Sequence, residues 1–211
     1  MHDTGLSRKQ EVKAEVFTSL ATCYNAPDAE LTAAVHKLSN NVPQCYVPCC
    51  QGVKDLQQAF MASSLHSLRV DHAQLFVGPF QLAAAPFGSV YLEQRQALME
   101  ESTHQVRELY RQAGLELDPA YNSPPDHISA ELEFLGYLLI LQDKAEAAEQ
   151  EQILELSRRF LGQHLGAWIE PFTNVMEKGA GTEFYQALAR LSRQLVLQEV
   201  STHLERSEAI G

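Results

Sequence analysis

The chain is poor in the features by which a sequence usually declares a chemistry. Its 211 residues hold one tryptophan, four methionines and four cysteines. There is no GxxxxGK[ST] phosphate loop, no GxGxxG dinucleotide fingerprint and no GxSxG nucleophile elbow, so nothing points to phosphate, hydride or acyl transfer. Basic residues are scarce: 16 against 27 acidic ones, a net charge of −11. That balance repels nucleic-acid backbones and excludes DNA or RNA as the expected partner. It attracts basic ligands over long range, and it also serves simply to keep a helical protein soluble. No run approaches the roughly 20 apolar residues of a membrane span. The amino end, residues 1–10, shows no apolar h-region of a secretory signal, and Arg158-Arg159 lies deep inside the chain. The expectation is a soluble, cytoplasmic protein.

Cysteine is also uninformative as a scaffold. Cys23, Cys45, Cys49 and Cys50 are expected to stay thiols in a reducing compartment. Three of them crowd into Cys45-Tyr46-Val47-Pro48-Cys49-Cys50. A zinc site built on such a run needs a second Cys pair or a His pair downstream, and the sequence offers none. The thiols therefore read as ordinary loop and core residues, and no metal is expected.

What the chain does have is helical periodicity. Hydrophobic residues make up 45% of it, enough to bury a sizeable core as one domain over residues 1–211. Val12, Val16, Leu20 and Tyr24 recur at four-residue steps, and Leu188, Leu191 and Leu195 at three and four. Ile153, Leu156, Phe160, Leu161, Leu165, Trp168 and Phe172 follow mixed steps. This is the amphipathic-helix pattern, with no sustained alternation to suggest strands. The spacing predicts helices over about 7–25, 28–40, 52–76, 89–113, 127–146, 149–177 and 182–206. Ser7, Asp28, Ser89, Asp126 and Thr182 stand at N-cap positions, and Gly114 is placed to end a helix in the left-handed region. Loops are expected at 41–51, 77–88 and 114–125, each carrying Pro or Gly. Gly162 and Gly166 suggest that the sixth helix is bent or split. The fold class is all-α, a single-domain helical bundle.

Few residues suggest catalysis. Asp126-His127 are adjacent in a helix start, so they point apart and cannot readily form a dyad. Asp126 fits an N-cap, and His127 in the first turn is disfavoured from protonating by the helix dipole. The pair reads equally as a structural cap or as a binding edge. Glu101-Ser102-Thr103-His104 is half of a di-iron signature without its other half. His127 and Glu131 form an i, i+4 pair that lacks matching ligands. His164 and Trp168, also i, i+4, read as a core aromatic with a hydrogen-bonded histidine.

Two stretches carry a different message. Asp71 to Pro79 (DHAQLFVGP) with Ala85 to Leu92 (APFGSVYL), and Pro124 to Phe134 (PPDHISAELEF), each join a rigid loop to an apolar helix start. Together they resemble the TorD/DmsD family of redox enzyme maturation chaperones. A Leu-Phe-x-Gly-Pro run is matched by Leu75, Phe76, Gly78 and Pro79. A Pro-aromatic-x-Ser-x-Tyr run is matched by Pro86, Phe87, Ser89 and Tyr91, with Gly88 between. A Pro-x-Asp-His-x-x-x-Glu-Leu-x-Phe run is matched by Pro124, Asp126, His127, Glu131, Leu132 and Phe134. A Phe-Leu-x-x-His-Leu-x-x-Trp run is matched by Phe160, Leu161, His164, Leu165 and Trp168, and a following aromatic pair by Phe184 and Tyr185. The chain departs from the pattern at Ser123 and Pro125, where many members carry acids, and at Phe87, where many have Trp or Tyr.

The resemblance implies an all-α chaperone and no enzymatic reaction. Its expected partner is the twin-arginine signal peptide of a molybdopterin-dependent oxidoreductase of the DMSO or TMAO reductase kind, bound while cofactor enters the enzyme. No cofactor of its own is expected; guanine nucleotide binding has been linked to some members, but no phosphate loop here supports it. The protein is expected as a monomer or a helix-exchanged dimer. The leader is expected between the 77–88 loop and the Asp126-His127 helix start, facing each other across a groove. Its contacts would come from Leu75, Phe76, Gly78, Pro79, Pro86, Phe87, Gly88, Ser89, Tyr91, Pro124, Asp126, His127 and Glu131. Rival readings are a metal-dependent helical-bundle enzyme and a general helical adaptor.

Overall fold

In a computed structural model the chain is described over residues 8–78, 82–93, 101–116 and 123–208. The elements are α1 (Arg8–Thr22), α2 (Ala29–Cys45), a 3₁₀ turn (Val47–Cys49), α3 (Cys50–Ala62), α4 (Leu65–His72), a π turn (Ala73–Val77), α5 (Ser89–Leu92), α6 (Glu101–Gln112), α7 (Ile128–Lys144), α8 (Ala147–Gln163), α9 (Leu165–Gly179) and α10 (Glu183–Glu208). The only pairing outside helices among the described residues is an isolated antiparallel bridge, Phe87 with His127. The all-α expectation holds. No helix among the described residues is long and apolar enough to cross a membrane.

The core follows from the apolar stripes. Val16, Phe17 and Leu20 of α1 are fully buried, and α1 packs between α2 and α7. α10 lies along α9 and α3 and also touches α8, burying Leu188, Leu191 and Leu195. Two polar ties fix the long-range register. Glu199 Oε1 accepts from Lys13 Nζ at 2.6 Å and from the Tyr46 hydroxyl at 2.8 Å, joining α10 to α1 and to the end of α2. Asp71, on α4, accepts from the Gly181 and Thr182 backbone N–H groups and from the Thr182 hydroxyl. It therefore anchors the start of α10, where negative charge meets the positive end of the helix dipole.

Several element boundaries differ from the sequence reading. The expected loop at 41–51 is mostly helix: α2 runs through Pro43 to Cys45 because its stripe, Leu31, Ala34, Val35, Leu38 and Val42, is still being buried. The expected helix over 52–76 breaks at Ser63, which is extended, and Ser64 then starts α4 with a capping box closed by Ser67. α5 ends at Leu92 and α6 begins at Glu101, so the helix expected over 89–113 is two; residues 94–100 lie outside the described set. The sixth helix is split, as Gly162 and Gly166 suggest, with the corner at His164. At Gly166 an added Cβ would meet the Leu161 carbonyl oxygen at 2.1 Å, so only glycine fits that corner. Asp28 caps α2 through the Glu30 N–H, Thr182 accepts from the Tyr185 N–H, and Gly114 has φ of 79°, all as expected. The N-cap expected at Ser7 lies outside the described residues.

Asp71 is the tie most open to test. Removing its carboxylate strands the buried donors it satisfies. Asp71→Ala should therefore lower stability by about 3 kcal/mol in urea denaturation, with helix content by circular dichroism unchanged in the native baseline. A loss below about 0.5 kcal/mol would show that α10 does not depend on this anchor.

Candidate functional site

The two motif-bearing segments do meet, but directly. The Gly88 N–H donates to the Asp126 carbonyl at 2.9 Å, and the Ile128 N–H donates to the Pro86 carbonyl at 2.9 Å. These two bonds make the Phe87–His127 bridge. The Phe87 and His127 rings stand edge to face, 5.4 Å between centroids. At this point the two segments are in direct contact, not held apart by the expected groove; residues 79–81 of the loop lie outside the described residues. Two short stretches whose neighbours are helical have only each other to satisfy their backbone groups, so they zip.

The caps are also rearranged. Asp126 is not the N-cap of α7; His127 is, its Nδ1 accepting from the Ser129 N–H at 3.2 Å and lying 2.7 Å from the Ser129 hydroxyl. Asp126 instead turns inward, where its Oδ2 accepts from the Ser89 N–H at 2.8 Å. Ser89 is likewise not a cap but the first residue of α5, after Gly88. Tyr110 holds the preceding Pro pair in place, its hydroxyl donating to the Pro125 carbonyl at 2.8 Å. Sequence reading missed Tyr110, because nothing local ties a tyrosine on α6 to a proline fifteen residues on.

Beneath the bridge lies a buried polar cluster. Glu131 is 0% exposed, and its Oε2 accepts from Trp168 Nε1 at 3.0 Å. Trp168 is also fully buried, with Tyr91 stacked on it at 5.8 Å and 12°. A Cβ at Gly88 would come within 3.0 Å of Trp168 Nε1 and 3.3 Å of Glu131 Oε1, so the loop can approach this pair only without a side chain. His164, buried at the α8–α9 corner, completes the set. Burial pushes the Glu131 carboxyl well above the usual carboxylate range. The Trp168 N–H pulls it back, and the Asp126 charge adds to the rise. Burial lowers His127 and His164 each to about 4, against the opposing pull of Asp126; His72 also lowers His127 and Arg159 also lowers His164.

The motif residues thus divide by exposure. Leu75, Phe76, Pro86, Gly88, Ser89, Asp126 and Glu131 are buried, whereas Gly78, Phe87, Tyr91, Pro124 and His127 are partly exposed. Pro79 lies outside the described residues. Phe76 does not face a ligand: it packs on Tyr24, His72, Phe172 and Tyr185. The π turn that carries it buries both Leu75 and Phe76. Of the residues expected to contact a leader, the buried ones form a frame and the partly exposed ones lie at its surface.

The metal alternatives find no geometry. Glu101 and His104 both face solvent, and no three His, Cys, Asp or Glu side chains among the described residues are grouped to hold an ion. The cysteines are free; burial raises Cys23 to about 12 and Cys49 to about 11, the direction of inert thiols.

The cap geometry predicts a pH dependence. A histidine held neutral when folded but free to protonate near 6.5 when unfolded costs stability as pH falls. The loss runs from about pH 6.5 down to about pH 4 for His127 and His164. His127→Asn keeps a good N-cap and removes one such group. Between pH 6.5 and 4 its unfolding constant should rise about tenfold less per pH unit than that of the wild type. Parallel urea titrations check this; identical slopes would mean that His127 is protonated in the native state.

Comparison with known proteins identifies the family. The profile of the nitrate reductase delta subunit family matches residues 27–174. The Tat proofreading chaperone DmsD of Salmonella typhimurium is 32% identical over 180 residues, 84% of this chain and 83% of that protein. The chaperone protein TorD of Vibrio cholerae is 30% identical over 133 residues, 63% of this chain and 60% of that one. A crystal structure of a redox enzyme maturation protein from Archaeoglobus fulgidus shares the fold at a TM-score of 0.57 and 22% identity, covering 91% of this chain and 95% of that one. The profile match, residues 27–174, spans the Phe87–His127 bridge and the buried cluster beneath it, and with the 32% identity to a DmsD chaperone over 84% of the chain it shows that the chain belongs to the TorD/DmsD family of redox enzyme maturation chaperones.

Proposed function

We propose that this protein is a cytoplasmic chaperone that binds the twin-arginine leader of a molybdopterin-dependent oxidoreductase before export, on the partly exposed edge formed by Phe87, His127, Tyr91 and Pro124. The observation that carries the reading is the Phe87–His127 bridge: a partly exposed aromatic edge held by two backbone hydrogen bonds. A leader combines basic residues with an apolar stretch. The apolar part suits the rings of Phe87 and Tyr91, and the net charge of −11 suits the arginines. The names of the relatives, Tat proofreading chaperones, support the same partner class. The reading requires no cofactor and no metal, and it is compatible with a monomer or with a dimer made by helix exchange.

The test is titration of a fluorescent leader peptide against wild type, Phe87→Ala and Asp126→Asn, with melting curves alongside. Losing the contact of one buried aromatic removes about 1.5–3 kcal/mol, so Phe87→Ala should weaken binding roughly ten- to a hundredfold. Asn at 126 still accepts from the Ser89 N–H, and Asp126 is only 1% exposed. Asp126→Asn should therefore keep both fold and affinity. Unchanged affinity in Phe87→Ala would place the leader elsewhere. A loss above tenfold in a fully folded Asp126→Asn would instead show that the edge opens and that the carboxylate meets a leader arginine.

A further inference from the structure

Four buried side-chain atoms around the Glu131–Trp168 contact have no hydrogen-bond partner among the described residues: Ser89 Oγ, Asp126 Oδ1, Glu131 Oε1 and His164 Nδ1. Orphans of this kind are rare in folded proteins, and four in one neighbourhood are not scatter. They come from three parts of the chain: the start of α5, the entry and first turn of α7, and the α8–α9 corner. Their closeness is fixed by contacts already described. Ser89 N–H reaches Asp126 Oδ2, Gly88 lies against Glu131 Oε1 and Trp168, and the Asp126 charge acts on both Glu131 and His164.

The inventory of donors is what fails. With both carboxyls ionised, Oδ1 and Oε1 are acceptors, and the cluster can offer them only the Ser89 O–H and one imidazole N–H. No lysine or arginine among the described residues hydrogen-bonds to either carboxylate. Two negative charges buried side by side without a cation are costly. One proton on Glu131 mends both faults. Its Oε2 then remains a carbonyl-type acceptor for Trp168, and its Oε1, as a hydroxyl, no longer carries a buried charge that lacks a donor.

We infer that Glu131 is the positioning residue of the leader-binding edge: it keeps one proton, gives a carbonyl oxygen to Trp168, turns its other oxygen toward Gly88, and so seats Gly88 and the Phe87–His127 bridge. The inference rests on the proposed leader function for its consequence, not for its geometry. The direction in which burial and Asp126 drive the Glu131 carboxyl agrees with it. Of the titratable groups, Asp126, just ahead of α7, acts on Glu131, and the same Asp126 acts on His127 and on His164 at the α8–α9 corner; Tyr91 of α5 stacks on Trp168. Arg159 acts on His164, and His72 on His127.

Glutamine copies the neutral acid in shape, one carbonyl oxygen and one donor, and cannot ionise. The first measurement compares the unfolding constants of wild type and Glu131→Gln in urea from pH 5 to pH 8. The unfolded chain releases the Glu131 proton above about pH 4.3, whereas the native wild type keeps it. The ratio of wild-type to variant unfolding constants should therefore rise about tenfold per pH unit. Other groups are common to both proteins and cancel. A flat ratio overturns the inference. The second measurement is leader-peptide affinity at pH 7. Glu131→Gln should stay within threefold of wild type. Glu131→Ala, and Gly88→Ala, whose Cβ would crowd Trp168 Nε1, should each lose at least tenfold. Emission from Trp168, the only tryptophan, should shift in the two Ala variants and not in the Gln variant. A Gln variant that behaves like the Ala variants overturns the inference. A wild type that binds no leader sinks the proposed function alone, because the pH-dependent ratio is read without any peptide.

Discussion

Two backbone hydrogen bonds, Gly88 to Asp126 and Ile128 to Pro86, hold the candidate site together. They are the only strand-like pairing among the described residues, and they lock a loop onto a helix start that lies about forty residues further along the chain. Once these bonds form, Asp126 must turn inward to Ser89, His127 must take over the cap, and Gly88 must lie on Trp168. The proposed leader-binding face, Phe87 with His127, is a by-product of that lock. A rigid aromatic edge of this kind loses little freedom on binding, which is how preorganisation raises affinity without adding contacts.

The site lies on an aromatic frame. Tyr24, Phe76, Phe172, Tyr185 and Trp168 form one continuous aromatic cluster through the bundle. It is tied by the Tyr24 hydroxyl to Ser192 and by His72 Nε2 to the Tyr24 carbonyl. The chemistry is therefore segregated. The aromatic mass below supplies packing energy, and the polar layer above it, Glu131 with Asp126, Ser89 and His164, supplies direction. Hydrogen bonds are weak net contributors to stability but strict about geometry, so the polar layer sets where the edge stands more than whether the protein folds.

Much of the helical architecture could be read from apolar spacing, because that spacing is what burial requires. The failures are specific. Pro43 and the polar run after Leu38 suggested a loop, yet Val42 still had a core to reach, and tertiary packing overrode the local signal. Ser63-Ser64 interrupts a stripe that looks continuous, and the capping box at Ser64 and Ser67 lacks the usual Glu that would have flagged it. Asp126 and His127 exchanged roles because both can cap, and only the partner across the bridge decides between them. Glu131 was recognisable as part of a motif but not as a buried acid. Its partners, Trp168 and Gly88, lie 37 and 43 residues away, and one-dimensional periodicity carries no such information.

The Lys13–Glu199–Tyr46 tie has a consequence for how the chain comes into being. Its members are separated by up to 186 positions. During synthesis α1 is exposed to solvent long before Glu199 exists. Its buried lysine has no counter-charge, and the α10 surface that buries Leu188, Leu191 and Leu195 is missing from the core for most of translation. Domains closed by contacts this far apart in sequence finish late and pass through partly open forms. A member of a chaperone family thus spends its own nascent life with an apolar face uncovered.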